Sequence, residues 1–148
     1  MQAEVVGFSN RRPDPAVAVR AGEPWMASST RSVGDVRDLD ALARTVDDVA
    51  PSVVFHLAAQ PLVLSSYEDP IGTFQTNVLG TANVLEAVRR SSTPVDAVVV
   101  VTTDKCYENR GWDHGYRETD RLGGRDPYSA SKAAAEHVAN AYRSSTAR

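Results

Sequence analysis

The sequence has little of several features that mark particular classes of protein. It contains 1 cysteine, so no internal disulfide can form. Its longest uninterrupted apolar run, Ala97 to Val101, is far short of the roughly 18 residues that a membrane-spanning helix needs. The first residues have neither the basic start nor the long apolar stretch of a signal peptide. These absences favour a reducing cytoplasm and exclude a membrane partner.

Net charge and composition exclude further classes of protein. The net charge is -3, so no broad basic surface is available for the phosphate backbone of nucleic acid. A hydrophobic content of 42% is too high for intrinsic disorder, and a length of 148 residues predicts one domain. The 3 histidines do not have the spacing of metal ligands, so no metal site is predicted.

Apolar runs and helix-capping signals alternate along the chain. Four short runs predict strands: Val5 to Phe8, Arg31 to Val33, Val53 to Leu57, and Ala97 to Val101. The third is continuous and is expected to be a central strand covered on both faces. Asp38, Asp69-Pro70 and Asp126-Pro127 predict the starts of three helices. This alternation predicts an α/β fold with an open parallel sheet.

Two segments of the pattern carry further expectations. From Arg11 to Thr30 all periodicity is lost among prolines and glycine, which predicts a loop. The helix that starts at Asp69-Pro70 is expected to carry one apolar side, made of Phe74, Val78, Thr81, Leu85 and Val88. The two dozen or so residues after the last strand predict a long functional loop.

Polar residues follow the predicted strands, where the ligands of open parallel sheets bind. Thr103 lies at the end of the last strand, and Tyr128 and Lys132 stand one turn apart on one face of the final helix. A tyrosine has a pKa of about 10 and needs a nearby cation to act as a base near neutrality. Lys132 can supply that cation, while Thr103 holds a substrate hydroxyl whose proton Tyr128 removes, so that hydride leaves for a nicotinamide ring. Tyr-x-x-x-Lys alone also occurs by chance on surface helices.

Three longer strings carry a resemblance. They are Thr-Thr-Asp-Lys-Cys-Tyr-Glu-Asn, then Gly-Tyr-Arg-Glu-Thr-Asp with Leu-Gly-Gly-Arg-Asp-Pro-Tyr-Ser-Ala-Ser-Lys, and His-Leu-Ala-Ala-Gln-Pro-Leu-Val. With them, the chain from about Ala3 to Tyr142 resembles the CDP-glucose 4,6-dehydratases of the extended short-chain dehydrogenase/reductase superfamily. Asp104-Lys105 favours the CDP-glucose branch, because dehydratases of other nucleotide sugars usually have Asp-Glu there. The resemblance implies a Rossmann-type parallel sheet and an NAD-dependent lyase of deoxysugar biosynthesis.

The resemblance also implies roles for individual residues. Tyr128 would deprotonate the sugar 4-hydroxyl while NAD accepts the C4 hydride, and Asp104 would be the acid for the leaving 6-hydroxyl. Lys105 would stand where relatives have the glutamate that removes the C5 proton, and the product would be CDP-4-keto-6-deoxyglucose. A solvated loop ion pair is the alternative interpretation of Asp104 and Lys105.

Cofactor residues are implied in the same way. Asp35 and Val36 resemble the family segment that holds adenine, with the Asp35 carboxylate accepting from its exocyclic amine. The alternative for Asp35 is an acid in the turn before a helix. Leu57, Ala58, Ala59 and Gln60 would line the cofactor together with Tyr128 and Lys132, although small residues there can also mean close packing. Asn77 would brace the active-site backbone. The segment Ser9-Asn10-Arg11-Arg12 leaves NAD and NADP both open.

The ends depart from the family pattern. No Gly-x-x-Gly-x-x-Gly occurs in the chain, so the first strand and phosphate-binding loop are expected to precede residue 1, and the substrate region to follow Tyr142. Residues 1–148 are therefore interpreted as a partial NAD(P)-binding domain, an internal fragment. Its missing strand is expected to leave apolar surface exposed, which favours a homo-oligomer or poor solubility.

Three functions stay open at this point. The first is the catalytic core of a dehydratase that takes a nucleotide-sugar, expected to be inactive as the isolated chain. The second is a nucleotide-sugar 4-epimerase, and the third a non-catalytic α/β binding or assembly module. Cys106 is expected to be a packed thiol. Trp112 and Tyr116 are expected either to flank a base or hexose or to anchor their loop.

Overall fold

A computed structural model describes residues 5–10 and 30–146. Its elements, in chain order, are β1 (Val6–Ser9), β2 (Thr30–Val33), α1 (Leu39–Val49), β3 (Val53–His56), α2 (Val63–Glu68), α3 (Pro70–Phe74), a π-helical turn (Gln75–Leu79), α4 (Gly80–Arg90), β4 (Ala97–Val100), a 3-10 turn (Asp104–Cys106) and α5 (Pro127–Thr146). The predicted α/β class is confirmed. The loop predicted from Arg11 lies outside the described residues up to Thr30, which begins β2.

The predicted helix starts are correct because each capping carboxylate binds a free amide of the first turn. Asp38 accepts from the Ala41 amide at 2.9 Å, and Asp69 accepts from the Gly72 amide at 2.9 Å. Asp126 accepts from the amide of Ser129 at 2.9 Å. These amides have no partner within their helices, so an acid before the helix both satisfies them and marks its start.

The strands form two separate parallel pairs. β1 pairs with β2 and β3 pairs with β4, in the registers Val6 with Thr30 and Val53 with Ala97. Within residues 5–10 and 30–146 no ladder of hydrogen bonds joins the two pairs. Both pairs pack on one helical layer, because Phe8 of β1 and Val54 of β3 contact the same buried cluster, Leu42, Val46, Val84 and Ala87. The core therefore lies between the strands and helices α1 and α4.

The prediction that β3 is covered on both faces is wrong. Val54 contacts the buried cluster and His56 is 6% exposed, whereas Val53 is 44% and Phe55 is 65% exposed. Alternate residues of a strand face opposite sides, and among the described residues only one side is covered by helices. The uncovered side continues along both strands and includes further exposed apolar residues, namely Leu57, Val99 and Val101.

The predicted apolar side of the helix after Asp69 is also partly wrong. Phe74 is exposed, and the buried positions are mostly small or polar: Thr73, Asn77, Gly80, Thr81, Val84 and Ala87. The π-helical turn adds a residue to the turn and rotates the helix face, which a strict 3.6-residue pattern does not anticipate. The short helix α2 was not predicted.

Two neighbouring residues of β3 test this arrangement. Val54→Ala should lower the free energy of unfolding by about 1 kcal/mol or more, since it removes packing from the core. Phe55→Ala removes a larger side chain but should cost less than about 0.5 kcal/mol, because that ring is mostly in solvent. Denaturant unfolding of both variants gives the comparison. A larger cost for Phe55→Ala would mean that this face is covered in solution.

Candidate active site

The site forms where the first turns of α5 meet the end of β4. Tyr128 and Lys132 are one turn apart on α5, and they are 9% and 8% exposed. The Lys132 ammonium donates to the carbonyl oxygen of Val101 at 3.1 Å. This bond joins α5 directly to the residue that follows β4. It places the lysine at the carboxyl end of the strand, where the sequence predicted the site.

Thr103 lies at the same strand end. It is two residues beyond Val101, so its backbone is within about 7 Å of the carbonyl that Lys132 binds. Its hydroxyl accepts from the Lys105 amide at 3.4 Å and donates to an Asp104 carboxylate oxygen at 3.2 Å. The 3-10 turn that Thr103 caps packs against α5. The fold thus brings Thr103 and Lys132 to one end of β4, and Tyr128 lies one turn before Lys132 on α5.

Tyr128 and Lys132 differ in their hydrogen bonds. Burial lowers the pKa of Lys132. Its hydrogen-bond partner is the Val101 carbonyl rather than the phenol of Tyr128. Among the described residues no hydrogen bond uses the Tyr128 hydroxyl, and that hydroxyl is not sealed from solvent. A phenol that is not engaged by the fold is available to exchange a proton with a ligand.

Asp104 and Lys105 are both exposed in the turn after Thr103. The Asp104 carboxylate accepts a hydrogen bond from the Thr103 hydroxyl at 3.2 Å. The two residues do not pair with each other among the ion pairs of the described ranges. Both side chains are therefore open to solvent beside Thr103, and the alternative of a loop ion pair has no support in the geometry.

The loop after β3 is held to the helices by one buried amide. Asn77, in the π-helical turn, is 1% exposed. Its Oδ1 accepts from the Gln60 amide at 2.8 Å, and its Nδ2 donates to the Gln60 carbonyl at 3.1 Å. The same Nδ2 donates to the Ser131 hydroxyl at 2.8 Å. Asn77 therefore braces the active-site backbone, as the sequence predicted for it.

Three residues of this network were missed by the sequence analysis. The Ser131 hydroxyl donates to the carbonyl of Tyr128 at 2.6 Å, so it connects Asn77 to the turn that carries the tyrosine. The Thr81 hydroxyl donates to the Asn77 carbonyl at 2.7 Å, and His56 lies 3.0 Å from that hydroxyl. One signal in the sequence could have found them: each is a polar residue at a position that the apolar pattern places inside the protein. A buried polar group needs a hydrogen-bond partner, so such residues are expected to bond one another.

The predicted adenine segment lies in the turn between β2 and α1. Both carboxylate oxygens of Asp35 bind the Arg37 guanidinium, at 3.0 Å to Nε and 2.6 Å to Nη2. These hydrogen bonds lower the pKa of Asp35. The Val36 carbonyl accepts from the Asn83 side chain at 3.0 Å, which ties the turn to α4. Asp35 thus helps to order this turn, a contact that is compatible with either interpretation of the residue.

The remaining predicted cofactor residues follow β3. Ala58, Ala59 and Gln60 are half-buried, whereas Leu57 is 68% exposed. The Gln60 side chain is engaged locally, donating to the Leu62 carbonyl at 3.0 Å and to the Thr73 hydroxyl at 2.9 Å. This edge offers small side chains and a backbone that Asn77 already holds in place.

The long loop after β4 is ordered by aromatic contacts. The rings of Tyr107 and Tyr116 stack at 5.3 Å, and Trp112 lies 4.4 Å from the His114 ring. Trp112 Nε1 is buried with no partner among the described residues. Cys106 is 1% exposed, and burial raises the pKa of its thiol, which confirms a packed thiol rather than a nucleophile.

The end of that loop approaches α5 closely at Gly124. A Cβ at this position would lie 2.2 Å from the carbonyl carbon of Ser129, in the turn that carries Tyr128. Only glycine allows this contact without moving the backbone.

Comparison with known proteins places this arrangement in a family. Residues 4–147 match the family model described as GDP-mannose 4,6 dehydratase. The chain belongs to this family. It is 52% identical over 113 residues to a CDP-glucose 4,6-dehydratase of Salmonella typhimurium, covering 76% of this chain and 31% of the relative. It is 37% identical over 116 residues to a dTDP-glucose 4,6-dehydratase of Xanthomonas campestris, covering 74% of this chain and 33% of that protein.

Solved structures support the Rossmann-type fold of the family. The dTDP-glucose 4,6-dehydratase DesIV of Streptomyces venezuelae, solved with NAD bound, superposes with a TM-score of 0.81 at 30% identity, over 98% of this chain and 44% of that one. A UDP-glucose 4-epimerase of Thermus thermophilus in complex with NAD gives a TM-score of 0.72 at 26% identity, over 95% and 51%. The chain thus spans about a third of the curated family members and about half of the solved ones.

No helix within the described ranges is both long and apolar enough to cross a bilayer.

The close approach at Gly124 gives one prediction. Gly124→Ala should displace the loop end from α5 and lower the melting temperature, since the new methyl group overlaps the Ser129 backbone. Gly115→Ala is the matched control, because a Cβ there meets nothing within 4 Å. Thermal unfolding followed by circular dichroism compares the two. Equal melting temperatures would show that the loop end does not pack as described.

The buried His56 gives a second prediction, on pH. Burial, followed by the nearby Lys132 charge, lowers the pKa of His56 from 6.5 to about 4. The unfolded chain therefore binds a proton between pH 6.5 and 4 that the folded chain does not, so stability is lost as pH falls. Relative to His56→Gln, the parent should lose up to about 3 kcal/mol over this range.

Denaturant unfolding at several pH values measures that difference. His137→Gln supplies the control, since His137 is exposed on α5. A stability difference between parent and His56→Gln that does not vary with pH would contradict the buried, neutral state of His56.

Proposed function

We propose that this chain is the catalytic core of a sugar-nucleotide 4,6-dehydratase that converts CDP-glucose to CDP-4-keto-6-deoxyglucose. The observation that carries the proposal is the Lys132–Val101 hydrogen bond, which anchors Lys132, one turn after Tyr128, at the strand end that bears Thr103. The 52% identity to a CDP-glucose 4,6-dehydratase supports this substrate over other nucleotide sugars. Residues 1–148 are then part of an NAD(P)-binding domain.

The residues present fit NAD on chemical grounds. Ala58 and Ala59 are small and half-buried at the carboxyl end of β3, where a flat ring or a ribose can approach the backbone. Asp35 Oδ1 accepts from both the backbone amide and the Nε of Arg37, whereas Oδ2 accepts only from Nη2 and keeps one lone pair for an adenine amine. Val36, Leu57, Gln60, Tyr128 and Lys132 complete the proposed contacts. NAD would accept the hydride that leaves the sugar C4 and would return it to C6.

The chain's own residues would move the protons. Tyr128, whose hydroxyl is not engaged by the fold, takes the proton of the sugar 4-hydroxyl, and Thr103 hydrogen-bonds that hydroxyl to fix its direction. Lys132 provides positive charge beside the phenol. Asp104 gives a proton to the leaving 6-hydroxyl, which departs as water. Lys105, which stands where relatives have the glutamate that removes the C5 proton, would take that proton on its amine and return it to C5 when hydride reaches C6. Asp104 and Lys105 are both exposed next to Thr103.

A nucleotide-sugar 4-epimerase is the second candidate, favoured by the likeness to the Thermus UDP-glucose 4-epimerase. An epimerase uses the same tyrosine and lysine but eliminates no water, so it has no need of Asp104 and Lys105. The identity of the product distinguishes the two. A non-catalytic binding module would form no product at all.

We also propose that the protein works in the cytoplasm as a homo-oligomer, with a nucleotide-sugar as its small-molecule partner. The solvent-exposed apolar side of β3 and β4 supports self-association. The single, buried cysteine, Cys106, is compatible with a reducing compartment.

A chimera tests the function. The 113-residue region of this chain that matches the Salmonella CDP-glucose 4,6-dehydratase replaces its counterpart in that enzyme, so that the relative supplies every other segment. Incubated with CDP-glucose and NAD, the chimera should form a product lighter than the substrate by one water, detected by mass spectrometry. The 148-residue chain alone should form none, since its sequence contains no glycine-rich pyrophosphate-binding motif.

Variants of the chimera assign the roles. Tyr128→Phe should lower kcat by about a hundredfold or more, because it removes the acid–base group while keeping the ring. Tyr67→Phe, on the exposed side of α2, is the control and should leave kcat unchanged. A CDP-galactose product without loss of water would favour the epimerase, and full activity of Tyr128→Phe would remove Tyr128 from the mechanism.

A further inference from the structure

His56 ends β3 facing the helical layer, and its contacts define which of its nitrogens carries a proton. Its Nε2 lies 3.0 Å from the Thr81 hydroxyl. That hydroxyl donates to the backbone carbonyl of Asn77 at 2.7 Å, because a carbonyl can only accept. The Thr81 oxygen is therefore the acceptor for His56, and Nε2 is the protonated nitrogen. The hydrogen bonds run in one direction, from the imidazole through the hydroxyl to the carbonyl.

This chain of bonds ends on the residue that braces the site. Asn77 uses both its amide oxygen and its amide nitrogen to hold the Gln60 backbone, and the nitrogen also reaches Ser131. Ser131 in turn bonds the Tyr128 carbonyl. Hydrogen bonds between buried groups are strong and directional, so a shift at Thr81 is passed to Asn77 rather than absorbed by water.

The buried position beside Thr81 and Lys132 requires a hydrogen-bond donor that is neutral. Thr81 and Asn77 are 2% and 1% exposed, so water cannot substitute for a lost donor. Burial and the charge of Lys132 keep His56 neutral, since they lower its pKa to about 4. A neutral donor orders the network without adding a second positive charge beside Lys132.

We propose that His56 is a positioning residue of the active site, acting through Thr81 and Asn77 on the Gln60 backbone and on the α5 turn that carries Tyr128. His56 itself touches neither substrate nor cofactor in this account. The effect on catalysis rests on the proposed dehydratase function, whereas the effect on the network does not.

Amide hydrogen exchange in the 148-residue chain, followed by NMR, tests the network directly. His56→Phe keeps a ring but removes the donor, and it should speed exchange of the Gln60 amide by about tenfold or more. His56→Gln restores an N–H donor and should keep that rate within about threefold of the parent. In the parent, the nitrogen shifts of His56 should show the Nε2-protonated form.

Two controls separate positioning from loss of stability. Val84→Ala removes packing from the core cluster and should speed exchange broadly, without singling out Gln60. If His56→Phe fails to fold, Thr81→Val and Thr81→Ser replace the pair, since the first removes the hydroxyl and the second keeps it. Equal exchange at Gln60 in the donor-free and donor-retaining variants, or an Nδ1-protonated His56, would overturn the proposal.

The chimera gives the catalytic readout. His56→Phe there should lower kcat by about tenfold, leave KM for CDP-glucose within about twofold, and be rescued by His56→Gln. Equal kcat in all three proteins would overturn the catalytic part of the proposal. A parent chimera without any activity would instead count against the proposed function, while hydrogen exchange still decides the role of His56.

Discussion

The buried side-chain amide of Asn77 is the constraint on which the candidate site depends. Through three hydrogen bonds it joins the loop after β3 to the first turns of α5. A buried amide left without partners would be costly, so the network is stable only when every member is in place. Lys132 then attaches the same helix to the end of β4 through the Val101 carbonyl. Two strand ends and one helix are therefore held together by polar contacts rather than by apolar packing.

Which contacts are apolar and which are polar follows from the residues that each helix buries. The apolar cluster of Leu42, Val46, Val84 and Ala87 holds α1 and α4 against one side of the strands. The first turns of α5 and the middle of the π-interrupted helix bury hydroxyls and amides instead. On the other side of β3 and β4 a row of apolar side chains faces solvent. The apolar cluster between the strands and helices α1 and α4 thus stabilises the fold, whereas the polar network at the strand ends sets the geometry of the site.

The sequence predicted the parts of this structure that depend on local chemistry. Asp38, Asp69 and Asp126 marked their helix starts because a carboxylate before free amides is a local signal. The spacing of Tyr128 and Lys132 placed them on one helical face. What it could not predict depends largely on tertiary contacts: the π-helical turn, the exposed side of β3 and the His56–Thr81 bond. The contact of Asp35 with Arg37 is local, two residues along the chain, and no pattern in the sequence indicated it. Apolar runs indicate a strand but not how many of its faces find partners.

The central claim is that the fold presents the Tyr128 phenol and the Thr103 hydroxyl to one opening, with Lys132 anchored beside them. Nuclear Overhauser contacts in the 148-residue chain measure this most directly, since they report protons within about 5–6 Å of each other. The account predicts contacts between the Tyr128 ring and the Thr103 methyl group, together with contacts from the Lys132 side chain to Val101. A Tyr128 ring that contacts neither Thr103 nor its neighbours, and instead faces away from the end of β4, would contradict it.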